Sequence, residues 1–273
     1  MQTTMKRILL AAGSFLIAYA GNSQVKEGKI IFERTVQLNI QIDDHNPAMQ
    51  NMIPKERKDK FELLFADNKS LWRPIEDDNQ SDETSFSDGG GMRMVFRMPG
   101  SDDISWHNIA EIKKVDQREL GDKTYIIADS IRRLNWKLTG EKKTILNYNC
   151  MKATTQRTQE SFRMTMDNGN TKREKVTDTL NIVAWFTADI PGSYGPESYQ
   201  GQLPGTVLEI DVNNGRTSFK AIELSQKVDV ASIKEPVKGK KVTPEEFAKE
   251  REKLFKDMQQ NGGGGMRFNI RSN

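Results

Sequence analysis

A mainly β fold is predicted: a large twisted antiparallel meander sheet or partial barrel, with one C-terminal α-helix. Three observations predict it. Apolar and polar residues alternate over long stretches, the period of a half-buried strand. Gly, Asn and Asp clusters separate these stretches at hairpin spacing. Helical spacing with both start and stop signals occurs only after Thr243.

The elements follow in order. In Ile30 to Ile42, Ile30, Phe32, Val36, Leu38, Ile40 and Ile42 share one parity, with Arg34 the exception. One packed and one wet face suit an antiparallel sheet. Asn46 to Lys58 reads as irregular, with room for one short helix, because Pro47 and Pro54 interrupt it. Phe61, Leu63 and Phe65 alternate, Asp67-Asn68-Lys69 turns, and Ser70 to Ile75 returns. Residues 76–91 carry Glu76, Asp77, Asp78, Asp82, Glu83 and Asp88, no base, and a closing Gly89-Gly90-Gly91. That composition predicts an acidic mobile loop. Met92 to Met98 and Ile104 to Ile109 read as short strands. Four hairpins follow: 111–120 with 123–129 across Gly121-Asp122; 134–139 with 143–156 across Gly140-Glu141; 161–166 with 176–187 across Asp167-Asn168-Gly169-Asn170; and 207–212 with 217–224 across Asn213-Asn214-Gly215.

Thr243 is the N-cap of the helix, Pro244 its first residue, and Glu246 closes a capping box. Phe247, Leu254, Phe255 and Met258 form a narrow apolar stripe, and Gly262 to Gly265 ends the helix. Met266 to Arg271 alternates as an edge strand. The domain reading is a secretory signal over 1–20, a β domain over 21–242, and a helix with a Gly-rich tail over 243–273.

The signal has three parts: the charged pair Lys6-Arg7, the apolar run Ile8 to Ala18, and Ala18-Tyr19-Ala20 before a cleavage at Gly21. That apolar run is short for a membrane span, so none is expected in the mature chain. The whole chain carries a formal +3. Residues 1–24 hold two bases and no acid, so the remainder carries 3 − 2 = +1. Near-neutral charge argues against nucleic-acid binding. Cys150 is the one cysteine, which rules out an intramolecular disulfide and suggests a buried thiol.

Local design is densest from Ala184 to Leu224. Ala184-Trp185-Phe186-Thr187 ends a strand, Gly195-Pro196 turns, and Gln202-Leu203-Pro204-Gly205-Thr206-Val207 leads into Leu208-Glu209-Ile210. This block resembles the GLPGLI family of Bacteroidetes envelope proteins. Asn135-Trp136-Lys137-Leu138, Tyr148 to Ala153, and Gly28 to Glu33 also resemble the family pattern. Gln202 stands where the family hexapeptide has its first Gly, and Thr206 where it has its second Leu. A Gln tolerates φ > 0 poorly, so the backbone at 202 is not expected to be left-handed. The resemblance implies an exported protein of the periplasm or outer membrane, without assigned activity, working beside an outer-membrane transport system.

No catalytic, cofactor or metal site is predicted. His45 and His107 lie far apart, with no Cys or second His near either, whereas zinc needs clustered ligands. Ser193, in Pro-Gly-Ser-Tyr-Gly, lacks the strand-to-helix context of a nucleophile elbow. The acids of 76–91 do not follow a calcium-loop spacing. Met92, Met94, Met98, Met164 and Met166 would suit Cu(I), but methionine more often fills a core. Tyr194, Gly195, Pro196, Tyr199, Leu203, Pro204 and Gly205 form the candidate partner-contact loop, since binding residues favour loops on rigid scaffolds. A purely geometric role for that loop is the stronger reading. The functional expectation is a non-enzymatic binding module whose partner is an envelope or outer-membrane protein. The alternatives are a periplasmic carrier of an apolar ligand in a sheet groove and, behind it, a hydrolase that brings a histidine to a Ser and an acid.

Overall fold

The computed structural model describes residues 25–38, 55–75, 84–87, 93–96, 102–167 and 170–260. The strands are β1 (Glu27–Gln37), β2 (Glu56–Ala66), β3 (Lys69–Pro74), β4 (Thr84–Ser87), β5 (Arg93–Phe96), β6 (Ile104–Asn108), β7 (Lys113–Leu120), β8 (Lys123–Ser130), β9 (Lys137–Ile145), β10 (Tyr148–Asp167), β11 (Asn170–Thr187), β12 (Thr206–Val212), β13 (Thr217–Ser225) and β14 (Lys240–Val242). One α-helix is described, α1 (Pro244–Gln260). Twelve strands form one sheet in the order β14-β8-β7-β6-β3-β2-β1-β13-β12-β11-β10-β9, and β4 with β5 forms a separate pair. The mainly β class with a C-terminal helix is therefore as the sequence predicts.

Turn chemistry sets the hairpins. Asp67-Asn68 and Asn213-Asn214 all take positive φ, between 48° and 61°. That backbone matches the twist of the strands it joins. The β9–β10 hairpin departs from expectation. Its turn is Leu146-Asn147, both at positive φ, and not Gly140-Glu141. Met151 faces Lys142 while Ala153 faces Leu138, so the register shifts there and residues 139–141 bulge opposite Lys152. The glycine gives a bulge inside the strand, and Asn147 supplies the turn.

Three features of the topology go beyond the sequence reading. The sheet is two meanders joined by β1 and β13, which pair from Lys29–Ser225 to Val36–Thr217. Local hairpin signals carry no trace of a pairing between strands so distant in sequence. β14 adds itself parallel to β8, an unpredicted strand. Thr84–Ser87 lies within the stretch read as an acidic loop, yet it pairs with β5. The rest of that stretch, the signal, Ile40 to Pro54 and the Gly-rich tail lie outside the described residues.

Arg34, the exception on the apolar face of β1, has its counter-charge directly opposite. Asp59 of β2 pairs with it across the strands. Arg34 Nη2 donates to Asp59 Oδ2 at 2.8 Å, Arg57 Nε donates to Oδ1 at 2.8 Å, and both Arg34 and Asp59 are buried. A buried ion pair of this kind persists because each charge satisfies the other.

Curvature builds the main core. Phe32, Phe61, Leu63, Phe65 and Trp72 from β1–β3 share one cluster with Ala153, Leu180, Ile182, Phe186, Leu208 and Ile210 from β10–β12. Strands so far apart in sheet order meet only if the sheet curls. Phe61 stacks on Trp72 with ring centroids 4.9 Å apart. The convex face carries Leu64, Leu71, Trp106, Val115 and Ile126, and the chain after β13 crosses it with Val228 and Ile233. The helix docks on β8 by Phe247, 5.4 Å from Tyr125. Its capping box forms as the sequence reads: Glu246 N donates to Thr243 Oγ1 at 3.1 Å, and Thr243 N to Glu246 Oε2 at 2.9 Å.

Candidate functional site

The loop between β11 and β12 turns inward. Tyr194, Gly195, Pro196, Tyr199, Leu203 and Gly205 are buried, and of the seven candidate contact residues Pro204 alone is exposed. A surface presented to a partner is thus not built from these side chains. They fill the concave side of the curled sheet, which would otherwise stand open. Tyr194 packs its ring 4.6 Å from Phe65, and its hydroxyl accepts from Asn68 N at 3.1 Å. Ile190, Tyr199 and Leu203 join the same core.

Both departures from the resembled hexapeptide have a local reason. Gln202 clamps the β8–β9 connection. Its Oε1 accepts from Leu134 N at 2.9 Å, and its Nε2 donates to Arg132 O at 2.9 Å. The left-handed backbone falls on Gly201 instead, at φ 72°, and a Cβ there would press on Ile131 at 2.9 Å. Thr206 is fully buried, and its hydroxyl reaches the carbonyls of Ile190 and Gly192, each at 3.2 Å. Gly205 passes so close to the Thr187 carbonyl that any Cβ would overlap it.

Beneath this plug, the inner face of β3, β6 and β7 is polar. Strand register puts Ser70, His107 and Lys114 in one row. Trp72, Ser105 and Asp116 form the next, and Asp103 meets Arg118 beyond it. Alternation makes all of these point to the same side. Ser105 Oγ donates to Asp116 Oδ1 at 2.8 Å. Lys114 Nζ reaches Asp116 Oδ2 at 3.1 Å, and Arg118 Nη2 the same oxygen at 3.5 Å. Arg118 Nη1 lies 3.5 Å from Asp103 Oδ2. From the loop, Gln200 accepts a hydrogen bond from Ser70 Oγ, and Glu197 is close enough for its charge to act on Asp103 and Arg118. Exposure grades outward along this polar row, from an Asp116 side chain 6% exposed to an Arg118 side chain 38% exposed.

Burial sets the proton states. It lowers His107 to about 4, Lys114 adding to the effect and Asp116 opposing it. The imidazole is therefore neutral at pH 7. Burial also raises Asp103 to about 6; Arg118 opposes this, while Asp116, Glu197 and Asp102 add to it. Burial pulls Asp116 upward too, but Lys114, Arg118 and the Ser105 hydrogen bond outweigh it and hold the carboxyl below its ordinary value. Two carboxyls on one arginine are thus pushed apart.

His107 is 2% exposed, and its Nδ1 is buried without a hydrogen-bond partner. Arg157 Nε is buried and unpartnered as well, and the Arg157 charge acts on Tyr199 in the plug. The Ser105 hydroxyl is directed at Asp116, so His107 does not activate it as a nucleophile. Among the described residues no three His, Cys, Asp or Glu side chains converge on a metal position. The methionine clusters and His45 lie outside the described side chains. Cys150 is buried, and burial pushes its thiol up to about 11. Among the described residues no helix is long and apolar enough to cross a membrane.

The sequence reading assigns His107 no metal or binding role. The overlooked signal is parity: Ser105 and His107 on β6 share a face with Lys114, Asp116 and Arg118 on β7, while Trp106 and Val115 lie on the other.

Comparison with known proteins gives a partial family match and a likeness of fold. A family model described as a protein of unknown function (Porph_ging) matches residues 136–209, about a quarter of the chain. The match runs from the start of β9 into β12 and includes the inward loop. A solved structure of PNGF-II, in its C2 crystal form, superposes with a TM-score of 0.50 at 16% identity, over 83% of this chain and 33% of that one. Its P21 form gives 0.47 at 16% identity, over 82% and 32%. This chain spans about a third of the length of PNGF-II, and the likeness is one of fold. None of the curated proteins matches.

Proposed function

We propose that this chain is an exported, non-enzymatic binding protein of the GLPGLI kind, working in the periplasm or against the outer membrane beside a transport system. Its binding site is the polar cleft of β3, β6 and β7 under the β11–β12 loop. One observation carries this reading: His107 Nδ1 is buried and unpartnered, in an imidazole on which the charges of Asp116 and Lys114 act. An unpaired polar group in the interior costs about 1–3 kcal/mol, and a ligand that supplies the missing partner removes that cost. The direction of the Ser105 hydroxyl supports binding over hydrolysis. The filling of the concave face by Ile190, Tyr194, Tyr199 and Leu203 supports a polar ligand over the apolar one of the carrier reading.

The test is native mass spectrometry of the protein purified gently from its own cell envelope. The expected result is a chain starting at Gly21 that retains a small non-protein mass, and a His107→Leu variant that does not. A wild-type protein bare of any such mass in every gentle preparation would refute the binding reading.

A further inference from the structure

The chain after β13 covers the convex face with little hold on it. Of residues 226–239 only Ile233 is buried, and Val228 is partly so. The backbone of this strap bonds to itself: Ser232 N donates to Asp229 O, Ile233 N to Val230 O, and Lys234 N to Ser232 O. The Asp229 carboxylate accepts from Ala231 N, and the Ser232 hydroxyl donates to Asp229 O. Side chains hold it to the sheet. Val228 and Ile233 rest on the apolar cluster, and Lys113 Nζ donates to Glu235 Oε2 at 2.7 Å.

Beneath the strap lies a broad apolar surface. Leu64, Leu71, Trp106, Val115 and Ile126 come from β2, β3, β6, β7 and β8, and all are buried. Lys113, which holds Glu235, also stands over the Trp106 ring, 5.5 Å from its centroid. The Trp106 Nε1 is a donor only, and it is buried with no acceptor. The strap therefore seals this face without satisfying it.

Magnitudes favour local opening. Burying an isoleucine side chain shifts an equilibrium roughly 10- to 150-fold. A half-exposed ion pair adds about fivefold at most, and the freed backbone regains entropy against both. Closure of the strap is thus favoured on the order of a thousandfold, whereas global unfolding of a sheet this size is rarer.

We propose that the strap is a displaceable cover, and that the convex face around Trp106 docks an extended segment of a partner protein in its place. The strap is the template for that segment. It offers a branched apolar residue where Ile233 sits and an acid two positions on for Lys113. A partner carbonyl that meets Trp106 Nε1 adds the contact the strap lacks. Trp106 and Val115 lie on the opposite side of the sheet from His107 and Asp116, so this proposal stands apart from the cleft.

Two measurements test it. Hydrogen exchange of the wild-type protein reads the cover. Amides of Ile233 and Lys234 should exchange through an opening that urea hardly changes, while those of Phe32 and Leu63 follow global unfolding. The docking face is read with a synthetic peptide of residues 226–239, followed through the Trp106 indole N–H signal. Wild type should bind it weakly, because its own strap competes. Protein carrying Ile233→Ser with Glu235→Ser should bind it about 100- to 1,000-fold more tightly. A peptide with the same two changes should not bind. Strap amides that exchange only with global unfolding would overturn the cover. A doubly substituted protein that binds the peptide no better than wild type would overturn the docking face. A wild-type dimer with exchanged straps in sedimentation and cross-linking would make the occupant a second copy, and would overturn the partner segment.

Discussion

Replacing His107 with leucine is expected to make the ligand-free protein more stable, although the residue is almost completely buried. The imidazole Nδ1 has no partner, and leaving such a group unpaired costs about 1–3 kcal/mol. Leucine is close in volume, so the change leaves little cavity and little overpacking. At pH 7 the expected gain is about 1–2 kcal/mol, or roughly 0.5–1 M in urea midpoint for a slope near 2 kcal/mol per M. The gain should grow in acid. The folded pKa of His107 is about 4 against an ordinary 6.5, so the unfolded chain binds the proton first. Wild-type stability therefore falls as pH drops from about 6.5 toward 4, by roughly 3 kcal/mol in all, and the variant lacks this loss. Urea unfolding followed by circular dichroism at several pH values reads both effects. A variant less stable than wild type by more than about 1 kcal/mol would mean that His107 makes a structural hydrogen bond, and the reasoning would fail.

Other perturbations have defined outcomes. Asp59→Ala leaves the buried Arg34 without its main counter-charge and should cost about 3–5 kcal/mol in urea unfolding; replacing Arg34 and Asp59 together by Met and Leu should recover most of that. Cys150, buried with its thiol pushed up to about 11, should react with a thiol reagent at pH 8 no faster than the chain unfolds, and rapid labelling of folded protein would contradict its placement. Thr243→Ala removes one half of the capping box and should cost about 1 kcal/mol, with hydrogen exchange accelerated in the first turn of α1.

Most of the fold was legible because strands and turns write themselves locally. The alternation in β1 and the Asp67-Asn68 and Asn213-Asn214 turns each depend on a few adjacent residues. Gly140 shows the limit. A glycine at positive φ serves a turn or a bulge equally well, and the pairing of Met151 with Lys142 decides between them. The β1–β13 and β14–β8 pairings were not legible, since they join segments with no shared local signal. The inward loop was half legible. Its turn residues and its resemblance stood out, but whether Tyr194 and Tyr199 face solvent or core depends on the curl of the sheet. The cleft was missed for the same reason. The shared parity of His107, Asp116 and Arg118 becomes a site only when the Glu197–Gln200 segment is laid over it.

The most direct measurement is nitrogen-15 NMR of the His107 imidazole, in protein as gently isolated from its own cells and again after treatment that strips off small molecules. If the cleft is the binding site, Nδ1 moves toward the shift of a hydrogen-bonded nitrogen in the loaded protein and back when it is stripped, while amide signals of the convex face around Val115 and Ile126 stay in place. Identical His107 resonances in the two samples would contradict the assignment of the cleft as the site.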